Sequence, residues 1–187
     1  MPRLYLIRHA LPKPRGRDDL DPPLDPKGRR QAEAMAEGFE ATTPLPIHTS
    51  PLMRCRATAA ALAARWESVP RILEPLREVP GPEGGPAVRA AFLKALLQES
   101  WPSARARDPV LRDWYDALIE AVSSVEEDSI LVSHYVAINA LVGRATGADQ
   151  VQVFSPGHTS VTILEAEGGG FSLLRLGVEA KTQLTSG

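Results

Sequence analysis

The stretch Leu4-Tyr5-Leu6-Ile7 constrains the fold more than any other part of this chain. Apolar and aromatic residues follow one another with no polar residue to mark a solvent face. That pattern reads as a strand buried on both faces, and such strands occur in parallel sheets covered by helices on either side. The run ends in Arg8-His9, so the strand delivers a permanent cation and a titratable nucleophile to the carboxyl edge of the sheet, where open α/β sheets bind their ligands. A guanidinium beside an imidazole suits an anion, and a phosphoryl group is the anion expected. Alone the pair specifies little. Its weight depends on what later strands bring to the same edge.

The chain repeats this unit. Residues 11–24 are crowded with Pro, Asp, Arg and Gly and read as a surface loop. Asp25-Pro26 supplies a cap and a first-turn proline for a helix over residues 26–39, with Ala32, Met35, Ala36 and Phe39 on one face. A short strand at 46–49 is followed by Ser50-Pro51, a second cap-plus-proline start, and an alanine-rich helix over 52–66. Arg54 falls in its first turn, beside backbone N–H groups that themselves favour an anion. A third strand is expected at 71–73, then a Pro- and Gly-rich loop carrying Glu74, Glu78 and Glu83. Helices at 87–98 and 108–125, separated by a break at Trp101-Pro102-Ser103, form a helical lid or subdomain inserted at about 86–126. The clearest strand, 129–133, ends in His134 and runs into a helix at 136–144 with Gly147 beyond it. Segments 159–165 and 171–176 flank a Gly-Gly-Gly turn and read as a β-hairpin on the sheet edge. The expected fold is therefore α/β: a mostly parallel sheet flanked by helices, with the helical insertion and a C-terminal hairpin, all within one domain spanning 1–187.

Composition narrows the function classes. Of 187 residues, 43% are hydrophobic and 24% charged, enough to build an ordinary globular core. The net charge of −2 gives no electrostatic reason to expect nucleic acid or an anionic membrane surface. No apolar run approaches the ~20 residues of a membrane span, and the opening apolar stretch is too short for a signal peptide. The single cysteine, Cys55, excludes an internal disulfide and fits a reducing compartment, so a cytoplasmic location is expected. Oligomeric state is left open.

Three strand ends thus carry Arg8 with His9, Arg54, and His134. Two guanidiniums can bind phosphate oxygens as planar, bidentate donors, one imidazole can attack phosphorus, and the other can donate to the transferring group. A carboxylic acid must protonate the leaving oxygen, and the glutamate-bearing loop offers three candidates. Other phosphotransfer chemistries lack their residues. A cysteine phosphatase needs an arginine six positions after its nucleophile, and six beyond Cys55 stands Ala61; Asp19-Leu20-Asp21 lies in a proline-rich loop rather than at a strand end. There is no Gly-rich loop ending in Lys-Ser or Lys-Thr, and the four histidines have no zinc-site spacing, so no metal or other cofactor is expected.

The Leu6-Ile7-Arg8-His9 start, Thr49-Ser50-Pro51-Leu52-Met53-Arg54, Leu76-Arg77-Glu78 and Val132-Ser133-His134 resemble, in order and spacing, the histidine phosphatase superfamily with its phosphoglycerate-mutase-like fold. The likeness runs through the whole chain, including the helix start from Leu24 to Ala32. It implies that His9 becomes phosphorylated, that Arg8, Arg54 and His134 hold the phosphoryl group, and that Glu78 acts as acid and then base, with Glu74 and Glu83 as rivals. Departures accompany the matches. Ala10 and Tyr135 stand where glycines are usual, Arg15 stands where an asparagine is often found, and the loop after Glu78 is shortened. Arg15, Tyr135 and His158 are further candidates for substrate contact. The expected activity is hydrolysis of a small phosphomonoester through phosphohistidine; a phosphoglycerate-type mutase, or a non-catalytic phospho-ligand-binding module on the same fold, are the alternatives.

Overall fold

The computed structural model describes residues 1–14 and 21–180. It contains six strands, β1 (Arg3–Arg8), β2 (Ile47–Thr49), β3 (Arg71–Ile72), β4 (Ser129–Ser133), β5 (Val161–Glu167) and β6 (Gly170–Arg175), in one sheet of order β3-β2-β4-β1-β5-β6. The pairs β3/β2, β2/β4 and β4/β1 are parallel, and the hairpin β5/β6 adds antiparallel to β1. Six helices accompany them: α1 (Pro26–Glu37), α2 (Met53–Trp66), α3 (Gly85–Leu96), α4 (Trp101–Arg107), α5 (Pro109–Ser123) and α6 (Tyr135–Thr146).

Side chains alternate across a strand, and here both sets are apolar because both faces are covered. Leu4 and Leu6 of β1 join a core with Leu131, Leu118 and Val122 of α5, and Ile138 and Leu141 of α6. Tyr5 and Ile7 point the other way, into a core with Ile130, Val132, Ala36 of α1, Phe39, and Leu62 of α2. A polar residue at any of these four positions of β1 would be buried, which explains why the strand has no solvent-face signature. The edge strand β6 shows the contrast, with Leu174 and Arg175 exposed.

Two local readings change in the structure. Trp101-Pro102-Ser103 does not interrupt the helices but opens α4. Ser100 caps it, its Oγ accepting from Ser103 N at 3.4 Å, and a proline in the first turn lacks only an N–H that would have had no helical partner. Conversely, Ser50 is not the cap of α2. The helix begins at Met53 with Leu52 at the cap position, and its open N–H at Met53 is taken by Asp21, whose carboxylate oxygens lie at 2.9 and 3.0 Å. The first helix follows the Asp25-Pro26 reading, with the Asp25 carboxylate accepting from Gly28 N at 2.6 Å.

The topology determines where a ligand can sit. After β1 the chain leaves toward the face carrying α1 and α2; after the adjacent β4 it leaves toward the face carrying α6. A crevice opens between strand ends where successive connections diverge in this way. The parallel register pairs Arg8 with Ser133, so the next residues, His9 and His134, stand side by side at that crevice.

Candidate active site

Backbone hydrogen bonds hold the two strand ends together. His9 N donates to Ser133 O at 3.0 Å, and Ser50 N donates to Val132 O at 3.0 Å, which brings the end of β2 into the same cluster. His9, Arg54 and His134 are all buried, with 6%, 3% and 0% of their surfaces exposed. The imidazole rings of His9 and His134 lie 5.2 Å apart between centroids.

Arg54 resolves the protonation of both rings, because a guanidinium can only donate. Its Nε donates to His9 Nε2 at 3.3 Å, so that nitrogen carries a lone pair and the proton resides on Nδ1, which donates to Ala10 O at 2.8 Å. Its Nη2 lies 3.2 Å from His134 Nδ1, which must accept; His134 Nε2 then carries the proton and donates to Ser50 Oγ at 2.8 Å. The third arm, Nη1, reaches Asp21 Oδ1 at 3.4 Å. Both imidazoles are held neutral. Burial pushes the pKa of each well below the ordinary histidine value; next in size come Arg54 for His9, and His9 and then Arg54 for His134.

Arg8 approaches from the other side. Its Nη1 donates to Pro156 O at 2.8 Å, and its guanidinium lies over the Tyr135 ring at 5.1 Å. Its buried Nε has no hydrogen-bond partner among the described residues, a donor suited to an anionic oxygen. Tyr135, whose hydroxyl pairs with Ser155 Oγ at 3.1 Å, therefore supports the arginine as well as bordering the cavity. His158 donates from Nδ1 to His9 O at 2.9 Å, and its ring lies 5.4 Å from that of His9.

Of the three glutamates, Glu78 lines the cavity that holds His9 and Arg8, while Glu83 lines an adjoining pocket that reaches Arg54. Glu78 shares its cavity with Arg54, Tyr135 and His158 as well, a space of about 620 Å³. Burial raises its pKa above the ordinary carboxyl value; the Val79 N–H, which donates to Oε1 at 3.0 Å, opposes the shift, followed by Arg89, Arg54 and Arg8. Glu74 is exposed and pairs with Arg77 at 3.2 Å, and Glu83 is exposed on the neighbouring loop. Arg15 lies outside the described residues. Cys55 lies 3.3 Å from His134 Nε2, but burial raises its pKa so far that it remains a thiol.

Several supporting residues were not singled out from the sequence. Ser50 orients His134. Thr58, fully buried, accepts from Ala10 N at 2.9 Å and donates to Arg54 O at 2.7 Å, tying the strand that carries His9 to the helix that carries Arg54. Ser133 Oγ donates to Leu76 O at 2.8 Å and Trp114 Nε1 to Arg77 O at 3.1 Å; Arg89 donates to Val79 O. These three bonds hold the backbone on both sides of Glu78. A serine after a strand was a visible signal for Ser50, read as a helix cap; nothing local distinguishes Thr58 or Trp114.

Chemically, the arrangement combines an unprotonated imidazole nitrogen, two guanidiniums, a second neutral imidazole and a carboxyl whose neutral form is favoured. A family model described as the histidine phosphatase superfamily (branch 1) matches residues 4–179. Among solved structures, the chain is similar to Bacillus stearothermophilus YhfR, with 25% identity, a TM-score of 0.76, and coverage of 96% of this chain and 98% of that one. It is similar to a mycobacterial glucosyl-3-phosphoglycerate phosphatase complexed with VO3, with 26% identity, a TM-score of 0.72, and coverage of 96% and 100%. Phosphoserine phosphatase from Entamoeba histolytica, in complex with 3-phosphoglyceric acid, shares the fold at 19% identity and a TM-score of 0.71, with coverage of 97% and 98%. No curated protein matched the chain.

Proposed function

Because the chain belongs to the histidine phosphatase superfamily, branch 1, we propose that it is a phosphomonoesterase working by two successive transfers at phosphorus. The observation that carries this reading is the state of His9: its Nδ1 proton is engaged by the Ala10 carbonyl and its Nε2 lone pair faces the guanidinium of Arg54.

In the first transfer, His9 Nε2 forms the bond to phosphorus as the ester P–O bond breaks, and the departing oxygen takes the proton of Glu78. The positive charge that develops on the ring is stabilised by the Nδ1–H bond to Ala10 O. Arg8 and Arg54 hold the peripheral oxygens as their charge spreads, and His134, whose Nε2 proton stays with Ser50 Oγ, accepts at Nδ1 from a peripheral oxygen that carries the proton of the ester monoanion. Arg54 exchanges its contacts to the two rings for phosphoryl oxygens in this step. In the second transfer, the Glu78 carboxylate takes a proton from water, the water oxygen bonds to phosphorus, and the P–N bond breaks. Inorganic phosphate leaves, and both His9 and Glu78 return to their starting states. Every proton is accounted for by residues of this chain.

The test is trapping of the intermediate. Brief incubation with a 32P-labelled phosphomonoester followed by alkaline quench is expected to leave acid-labile label on His9, and a chase with water to release inorganic phosphate. His9→Ala is expected to retain its circular dichroism and lose both label and turnover. Full turnover in His9→Ala would end the mechanism, and a chase that yields a phosphorylated sugar acid would favour a mutase.

A further inference from the structure

The cavity over His9 is much larger than a phosphoryl group requires, at about 620 Å³, so most of it receives whatever is esterified to phosphorus. Its two ends differ in chemistry. The inner end is charged. The outer wall is built from Leu11, Pro12, Pro14, Pro22, Leu93 and Leu97. Leu93 of α3 and Leu97, the helical residue that caps its C-terminus, lie four residues apart and share one side, while Leu96, 1% exposed, turns into the core. Both leucines pack against the edge of the core and also line the cavity, so the apolar interior continues into the cavity wall at this helix.

Most polar groups along this wall are already engaged. The Asp25 carboxylate accepts from Gly28 N, and the Tyr135 hydroxyl pairs with Ser155 Oγ. The backbone N–H of Leu11 goes to Gln31 Oε1 at 3.0 Å and that of Lys13 to Pro23 O at 2.8 Å; the prolines have none to offer. Among the described residues, the polar groups still open to a leaving group along this wall include the Lys13 amine, His158 Nε2 and the second oxygen of the Asp25 carboxylate. A sugar ring bound here would give up hydration of several hydroxyls with too few partners to replace it. An apolar group would lose only unfavourable exposure to water.

Resting on the phosphomonoesterase reading, we propose that the preferred substrates are monoesters of apolar alcohols or phenols, rather than sugar phosphates or phosphorylated hydroxy acids. Leu93 and Leu97 are then specificity-determining residues, acting on the part of the substrate that does not react.

The experiment compares kcat/KM within pairs of matched leaving-group acidity: 2-naphthyl against phenyl phosphate, and hexyl phosphate against glucose 6-phosphate. We expect naphthyl to exceed phenyl by about tenfold and hexyl to exceed glucose 6-phosphate by about 100-fold, the sizes that small apolar differences and unpaired polar groups produce in a binding pocket. Leu93→Asn with Leu97→Asn is expected to shrink both ratios about fivefold or more; the single Leu97→Asn, at a partly exposed position, shifts them in the same direction if the double variant does not fold. Ratios near one, or a preference for glucose 6-phosphate, while label still forms on His9, overturn the proposal and leave the phosphomonoesterase reading standing. Absence of both label and phosphate release with all four esters overturns the two together.

Discussion

At the scale of single residues, the site is organised by one arginine that can only donate. Arg54 makes the two imidazoles acceptors on the sides that face it, and this dictates where their protons lie. Ser50 completes the arrangement by accepting the His134 Nε2 proton. Ser50→Ala removes that partner, and with a hydrogen bond of about 1.4 kcal/mol lost the expected fall in kcat is about tenfold, with KM little changed, by steady-state assay. In the proposed mechanism Glu78 has the complementary task, holding a proton that the leaving oxygen needs. Glu78→Gln is expected to slow hydrolysis of an alkyl phosphate by about 10²–10⁴-fold. With 4-nitrophenyl phosphate, whose leaving group departs without a proton, the same variant is expected to release a stoichiometric burst of nitrophenol and then stall as phosphoenzyme; equal slowing of the burst would remove Glu78 from the acid role. In the wild type, kcat/KM for the alkyl ester falls as rising pH ionises Glu78, at a pH above the ordinary carboxyl range because burial raises its pKa.

At the scale of elements, helix α1 and the segment after β1 are locked together. A Cβ at Gly28 would meet Leu11 O at 1.9 Å, and Leu11 O also accepts from Asp25 N at 3.2 Å. Gly28→Ala must therefore push α1 away from the segment that walls the cavity. The expected cost is about 1–3 kcal/mol, seen as a lowered melting temperature, together with a raised KM. An unchanged melting temperature would mean that the contact yields freely. Element boundaries were legible from the sequence wherever the signal was local: Asp25-Pro26 for α1, the apolar run of β4, the glycine turn of the hairpin. Ser50 and Trp101 show the limit. Both carry a helix-boundary signal, but whether a serine caps the following helix or serves a histidine 84 positions away depends on which groups tertiary packing brings within reach. Ser50 is taken by His134, and Asp21 takes its place at the helix start.

At the scale of the whole molecule, two buried neutral histidines link stability to pH. In the unfolded chain each titrates near ~6.5, whereas in the fold burial holds them neutral to well below that value. Between those limits the unfolded state binds more protons, so stability is fully present above about pH 6.5 and falls as the pH drops below it. Glu78 has the opposite sign: its raised pKa favours the folded state at low pH and loses that contribution as the carboxyl ionises. His48 and His158, whose pKa values burial also lowers, add to the same sign as the two site histidines. With four histidines against one carboxyl, the urea midpoint is expected to be lower at about pH 5.5 than at about pH 7.5; identical midpoints would refute the linkage. The amino-acid sequence by itself determined the βα order, the strand buried on both faces, and the residues that arrive at strand ends, because apolar periodicity and capping chemistry act over a few residues. Only the tertiary structure decided that β4 inserts between β2 and β1, that the two imidazoles meet, and that Glu78 rather than Glu74 or Glu83 lines the cavity over His9. Those outcomes depend on strand register and on hydrogen bonds between distant segments, such as Ser133 to Leu76 and Trp114 to Arg77, which leave no periodic trace along the chain.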